Sequence, residues 1–173
     1  LYGVDLVEKF SISQVPFYIV FGIFTGFLSV YFTKTFLGIS AYFDGIKEKR
    51  NKIIIGGISL GILVFLMPSL FGEGYEVINS VLAGDFAHLF EDTIYEGMTH
   101  TISFTLLIFS LLIIFKVLAT SITIGAGGVG GVFAPSLFLG SHAGLMFAYL
   151  LSLFGLNVST TNYASVGMAG LIA

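Results

Sequence analysis

Between Gly97 and Ala173 the sequence contains a single Lys, Arg, Asp or Glu residue, which is Lys116. A segment of that length with one charge cannot coat itself with charged side chains in water, where soluble domains carry about 25% charged residues. The whole chain has 10% charged residues, 56% hydrophobic residues and a mean hydropathy of +1.01. The sequence therefore predicts an all-α, polytopic integral membrane protein.

Uncharged apolar stretches and charged connections predict the order of the helices. Residues 17–37 and 53–71 are each long enough to be a membrane helix, which needs about 20 residues. The basic stretch KEKRNK at 47–52 joins them and is typical of a cytoplasmic loop. Residues 72–100 are predicted to be an acidic extracytoplasmic loop with short helices. The remaining predictions are short membrane helices over 101–124, a helix over 132–155 and the start of a truncated helix over 162–173.

The two ends of the sequence and the residue types that it lacks exclude several kinds of protein. The chain begins at Leu1 and ends within the apolar stretch GMAGLIA, so we expect a fragment of a longer membrane protein. It has no cysteine, which excludes disulfides and thiolate metal sites. No nucleophile–base pair or metal-ligand cluster is apparent, so we expect neither an enzyme nor a cofactor, and no nucleic-acid partner.

Three pairs of glycines are spaced four residues apart: Gly22 and Gly26, Gly57 and Gly61, and Gly140 and Gly144. Such pairs allow membrane helices to approach closely. They predict tight helix packing and say nothing about a substrate.

The stretch GAGGVGGVFAPSLFLG, from Gly125 to Gly140, is the strongest candidate for a functional site. Its glycines permit an irregular turn, which a membrane tolerates only if it is buried in protein or lines an aqueous cavity. A helix is predicted to start near Phe133, with Pro135 in its first turn. The first amides of that helix lack intrahelical partners and lie at the positive end of its dipole, so they could bind an anion. The residues alone leave open a second interpretation, a glycine-rich bend that only lets helices cross.

This stretch resembles the signature of the CLC family of chloride channels and chloride/proton antiporters. The G-x-F-x-P element is Gly131 to Pro135, and KVLATSITIG (116–125) and PSLFGEGYEVI (68–78) also resemble the family. The resemblance implies a CLC-type bundle with broken helices, in which the amides of Val132 and Phe133 bind chloride. The residues expected to shape that site are Gly128, Gly130, Gly131, Ala134 and Pro135.

The resemblance further implies a homodimer of subunits with two inverted halves, of which this chain is most of the second. Chloride is the expected substrate, protons are a candidate second partner, and the expected location is the plasma (inner) membrane of a prokaryote. The gating glutamate and the pore tyrosine of the family are expected outside this chain, and the isolated chain is expected to conduct nothing. Channel and antiporter therefore stay open.

Three single residues have competing interpretations. Lys116 could bias anion entry, or it could snorkel or pair with backbone carbonyls. His142 is interpreted as a packed neutral histidine rather than a proton relay. Glu73, in Gly72-Glu73-Gly74, superficially resembles the gating motif but lacks its proline, so we interpret it as a solvated loop acid. Two other functions remain: a broken-helix transporter of an organic anion, and a membrane scaffold subunit without a pathway.

Overall fold

The computed structural model describes residues 12–72, 74–83, 102–156 and 158–173. All regular elements in these ranges are helical, as the sequence predicts. Two short 3₁₀ turns, Ile12–Gln14 and Pro68–Leu70, accompany six α-helices. The helices are α1 (Val15–Asp44), α2 (Lys49–Leu66), α3 (Tyr75–Ala83), α4 (Ile102–Gly125), α5 (Phe133–Leu153) and α6 (Thr160–Ile172). Glu73, His88, His100 and most of the predicted acidic loop lie outside the described residues.

Helix α1 is longer than the predicted 17–37. Pro16 occupies its first turn, where the missing N–H costs nothing, and the helix then runs 30 residues to Asp44. No proline interrupts it, and Lys34 lies on its exposed side. At 1.5 Å per residue it is about 45 Å long, which exceeds the hydrocarbon thickness of a bilayer.

Helix α2 ends earlier than the predicted residue 71 because of Pro68. A proline disfavours the helical conformation of the residue before it. Met67 accordingly has φ −138° and ψ 89°, α2 ends at Leu66, and the 3₁₀ turn Pro68–Leu70 follows. The chain therefore turns at the end of α2 and brings the carbonyls of residues 70–72 toward α4.

Helix α4 differs from the prediction of several short helices over 101–124. It is one helix of 24 residues, and its sequence contains no proline and no glycine before Gly125. Lys116 lies within it without ending it, since the side chain finds acceptors on a neighbouring segment, as described below. A charge inside an apolar run is thus a poor signal for a helix boundary.

Three helical segments of the described residues are long and apolar enough to cross a membrane: Ile12–Asp44, Phe104–Gly125 and Phe133–Leu153. Helix α2 carries Lys49, Arg50 and Lys52 in its first turns, so its uncharged part begins only at Ile53. The described residues therefore belong to an integral membrane protein.

Helix α5 is the centre of the described fold, and its closest neighbour is α6. The two helices touch through their backbones: a Cβ on Gly140 would overlap the carbonyl of Gly167, and a Cβ on Gly144 would overlap the carbonyl of Tyr163. Tyr163 is fully buried and stacks on Tyr18 of α1, with ring centroids 4.7 Å apart. Glycines at the contact are what permit this approach.

Eight serine and threonine hydroxyl groups in these helices bond within their own helix. Each donates to the carbonyl three or four residues earlier, at oxygen–oxygen distances of 2.6–2.9 Å. The residues that do so are Thr25, Ser110, Ser121, Thr123, Ser136, Ser141, Ser152 and Ser165. Contact between the helices consequently depends mainly on shape.

Candidate anion site

The first part of the glycine run closes helix α4. Gly127 has φ +96°, a left-handed conformation that favours glycine, and its N–H donates to the Ile124 carbonyl at 3.1 Å. The N–H of Gly128 donates to the Thr123 carbonyl at 2.8 Å. This pair of bonds is the Schellman motif, which satisfies carbonyls at a helix C-terminus. A Cβ on Gly128 would lie 2.7 Å from the Thr123 oxygen, so this glycine is also required by close packing.

The second part of the run is different, because nothing crowds it. No atom lies within 4 Å of a Cβ built on Gly131, and Gly130 meets only a methylene of Ile124 at 3.9 Å. Both residues are exposed, and neither has a positive φ. Within the described residues, therefore, neither the turn nor the packing requires glycine at 130 and 131.

Helix α5 begins directly after these two glycines. Val132 is its N-cap residue, with φ −89° and ψ −13°, and no side chain caps the helix. The N–H of Ser136 donates to the Val132 carbonyl at 3.0 Å, and Pro135 has no N–H. The amides of Val132, Phe133 and Ala134 precede the first donor within the helix, the Ser136 N–H, and have no partner within the helix. These three N–H groups lie at the positive end of the α5 dipole.

The N-terminus of α5 borders a cavity of about 540 Å³. Five predicted site residues line this cavity: Gly130, Gly131, Phe133, Ala134 and Pro135. The other two are not among the residues that line it: Gly128 lies in the cap of α4, and Val132 is 43% exposed. The amide of Val132 still belongs to the first turn of α5.

One face of α4 forms the opposite wall of the cavity. Its lining residues, Lys116, Ala119, Thr120, Thr123 and Ile124, follow the spacing i, i+3, i+4, i+7 and i+8. The alanine, the threonines and the isoleucine were not among the residues expected from the sequence. The signal that could have found them is their helical spacing from Lys116, the one charge of the region.

Lys116 is buried at the edge of the cavity, with 2% of its surface exposed. Its Nζ donates to the carbonyls of Leu70, at 3.1 Å, and Gly72, at 2.9 Å. The ammonium also lies 4.8 Å from the centre of the Phe138 ring, within the range of a cation–π contact. Of the two interpretations of Lys116, pairing with carbonyls is observed, and its position also adds positive charge beside the cavity.

The remaining cavity lining is mostly apolar and comes from α2, the turn after it and the start of α3. It consists of Leu60, Val64, Leu70, Phe71, Gly72 and Tyr75. No Asp or Glu is among the lining residues that the structure describes, and its described parts hold no cluster of three potential metal ligands. The described walls thus combine the first turn of α5, one ammonium group and the hydroxyl-bearing residues Tyr75, Thr120 and Thr123 with apolar side chains.

His142 lies away from the cavity, deep in the packing of α5. It is fully buried and stacks on Phe138 with ring centroids 4.0 Å apart. Its Nδ1 lies 2.8 Å from the Phe138 carbonyl, one turn earlier in the same helix. This environment agrees with the interpretation of His142 as a packed histidine.

The helices and the cavity define a polytopic membrane protein with a broken helix whose N-terminus opens onto a cavity. The family model described as voltage gated chloride channel matches residues 1–173, the entire chain. The chain therefore belongs to the voltage-gated chloride channel family, as the resemblance of the glycine run predicted.

Three curated relatives illustrate the match. An uncharacterised protein of Methanocaldococcus jannaschii is 27% identical over 87% of this chain and 34% of its own length. A Ralstonia nicotianae protein named "Putative chloride channel protein ClcB-like" is 32% identical over 70% of this chain and 25% of its own. The H(+)/Cl(-) exchange transporter ClcA of Yersinia pestis is 28% identical over 97% of this chain and 34% of its own. The chain thus spans about a quarter to a third of the length of these relatives.

Proposed function

We propose that the protein transports chloride across a membrane, as a channel or as a chloride/proton exchanger, and binds the anion through backbone amides at the start of α5. The observation that carries the proposal is the uncapped N-terminus of α5 beside the cavity. Family membership supports the transport activity, since relatives are named as a chloride channel protein and as an H(+)/Cl(-) exchange transporter.

The amides of Val132 and Phe133 are the proposed ligands. They lack helical partners, they lie at the positive end of the helix dipole, and no side chain caps them. An anion held by partial charges can leave again, whereas conduction fails if binding is too tight. Gly130 and Gly131 support this assignment, because the space beside them is open and leaves room for an ion.

Lys116 is proposed to raise the potential of the cavity without becoming a ligand. Its ammonium donates to two carbonyls, which holds it at the cavity edge. A charge fixed in a low-dielectric region acts over several ångströms, and it favours an anion over a cation. The two interpretations of this residue are therefore compatible.

Three finer features belong to the same proposal. Protons are the second transported species if the protein is an exchanger, and the working assembly is a homodimer of complete subunits. The expected location is the plasma (inner) membrane of a prokaryote, which the archaeal and bacterial relatives support. Matches to Arabidopsis thaliana proteins show that the family is wider than prokaryotes.

The test of transport uses the complete protein in liposomes loaded with potassium chloride. Valinomycin is added to carry potassium, and a chloride electrode and an external pH electrode record efflux together. We expect chloride efflux; proton movement in a fixed ratio to it would identify an exchanger, and its absence a channel. No chloride efflux would contradict the proposal in favour of the other transporter class or a scaffold.

The test of the site changes one backbone atom. Replacing the amide of Phe133 by an ester, through incorporation of the α-hydroxy acid, removes its N–H and keeps its side chain. Losing one hydrogen bond to a charged ligand costs about 1.5–3 kcal/mol, so chloride binding measured by calorimetry should weaken about tenfold or more. The matched control is Phe133→Ala, which keeps the amide and should bind chloride much more tightly than the ester variant. Equal chloride affinity of the ester variant and the unmodified protein would refute the assignment.

A further inference from the structure

A group of four cations, Lys47, Lys49, Arg50 and Lys52, lies where α1 connects to α2, and we refer to it as the basic patch. It holds four of the seven Lys and Arg residues of the chain. Three of the four, Lys47, Lys49 and Arg50, are exposed, and within the described ranges none of these three forms an ion pair. The fourth, Lys52, pairs with Asp44 at 3.6 Å. Most of the charge of the patch is therefore directed to the surroundings of the protein.

The dipole of helix α2 is not compensated by cations at its N-terminus. Helix α2 has Lys49, Arg50 and Lys52 in its first turns and no acidic residue there. The N-terminus is the positive end of a helix dipole, so cations there oppose helix stability. Glu48, the N-cap residue, makes no side-chain capping bond. Helix stability therefore does not explain the patch, and its charge is available to a partner outside the chain.

The surface next to the patch is strongly apolar. Directly after it, α2 exposes Ile53 and Ile58, at 65% and 60%, and α1 exposes Tyr42 and Leu37, each at 61%. Apolar helix surfaces with cations at one end are typical of the boundary between hydrocarbon and headgroups. The patch thus lies at headgroup depth if these helix surfaces face the membrane interior.

We propose that the basic patch binds the phosphate headgroups of acidic phospholipids in the cytoplasmic leaflet. Positive charge near the membrane marks the cytoplasmic side of a membrane protein, and that leaflet carries the acidic lipids. Charge complementarity selects an anionic headgroup over a zwitterionic one, and the adjacent isoleucines contact the acyl chains. Lipid binding at the patch is independent of the chloride site.

The test is lipid retention by the complete protein, with phosphatidylglycerol and phosphatidylcholine of identical acyl chains as probes. Native mass spectrometry counts the lipids bound after extraction from an equimolar mixture. The unmodified protein should retain phosphatidylglycerol preferentially. The triple variant Lys47→Gln, Lys49→Gln, Arg50→Gln should lose most of that preference, at about fivefold per charge removed. No preference in the unmodified protein, or the same preference in the triple variant, would overturn the proposal.

Two further variants separate lipid binding from a loss of folding. Glu48→Gln removes a carboxylate from within the patch and should increase phosphatidylglycerol retention, a change that a damaged fold would not produce. Lys34→Gln removes an exposed cation of α1 outside the patch and should leave retention unchanged. A decrease with Glu48→Gln, or a loss with Lys34→Gln equal to that of the triple variant, would refute the assignment to the patch.

Discussion

Two glycines four residues apart occur both in α5, at its contact with α6, and on the exposed surface of α2. The surroundings of the two pairs differ. In α5, Gly140 and Gly144 touch the backbone of α6 so closely that neither can accept a Cβ without displacement. In α2, a Cβ added to Gly57 or Gly61 would have no atom of the described residues within 4 Å. A glycine pair at a spacing of four therefore predicts that a helix can be approached closely, and it does not identify the helix that approaches.

The largest expected effect is at the crowded pair. Gly144→Ala places a methyl group on the carbonyl of Tyr163, which is backbone and cannot move aside cheaply. Helices α5 and α6 must then separate, and we expect a loss of about 3 kcal/mol in the free energy of unfolding. The midpoint of thermal unfolding of the complete protein in detergent would measure it. An unchanged midpoint would show that the backbones are not in contact.

The second largest effect is expected at Lys116, whose side chain joins α4 to the turn after α2. Lys116→Met keeps an unbranched side chain, one atom shorter, but leaves the carbonyls of Leu70 and Gly72 without this donor. Leu70 is buried, and a buried acceptor without a partner is costly, so we expect a loss of about 2 kcal/mol in the free energy of unfolding. The control is Lys34→Met on the exposed side of α1, which should change unfolding by less than about 0.5 kcal/mol. Equal midpoints for the two variants would mean that Lys116 does not hold the turn to α4.

A smaller effect separates the two parts of the glycine run. Gly127→Ala forces a side chain into the left-handed conformation at φ +96° and should destabilise by about 1–2 kcal/mol. Gly131→Ala meets nothing within 4 Å, so its unfolding midpoint should stay unchanged. Chloride flux in liposomes supplies the second measurement: a loss of flux with Gly131→Ala at unchanged stability would indicate that the anion, and not the fold, requires glycine there. Equal destabilisation by both variants would contradict the division of the run.

The smallest effect is expected on the open surface of α2. Gly57→Ala adds a methyl group into open space within a helix, and alanine is the better helix former. The free energy of unfolding should therefore rise by about 0.5–1 kcal/mol. A destabilisation as large as that of Gly144→Ala would show that another part of the complete protein covers this surface. Both glycine pairs would then lie at a close contact, and only the contact between α5 and α6 would be formed within this chain.

The helical, membrane-embedded character of the chain could be predicted because it depends on composition and on runs of apolar residues. The start of α5 near Phe133 follows from the local chemistry of glycine and proline. The end of α2 at Leu66 was missed, although Pro68 carried the signal. The acceptors of Lys116 could not be predicted, since Leu70 and Gly72 are more than 40 residues away along the chain. The different roles of the glycines in the run could not be predicted either. The five glycines are equivalent in sequence, and only the C-terminal cap at Gly127 shows which of them belong to the end of α4.

The bonding of serine and threonine hydroxyls within their own helices bears on how the protein enters the membrane. A hydroxyl that already donates to a carbonyl of the same helix does not arrive in hydrocarbon without a partner. These eight hydroxyl bonds are made within single helices, so they do not require neighbouring helices to be in place. Residues such as Ser121 and Ser141 are fully buried in the finished bundle, yet their hydroxyl bonds are complete before the bundle exists.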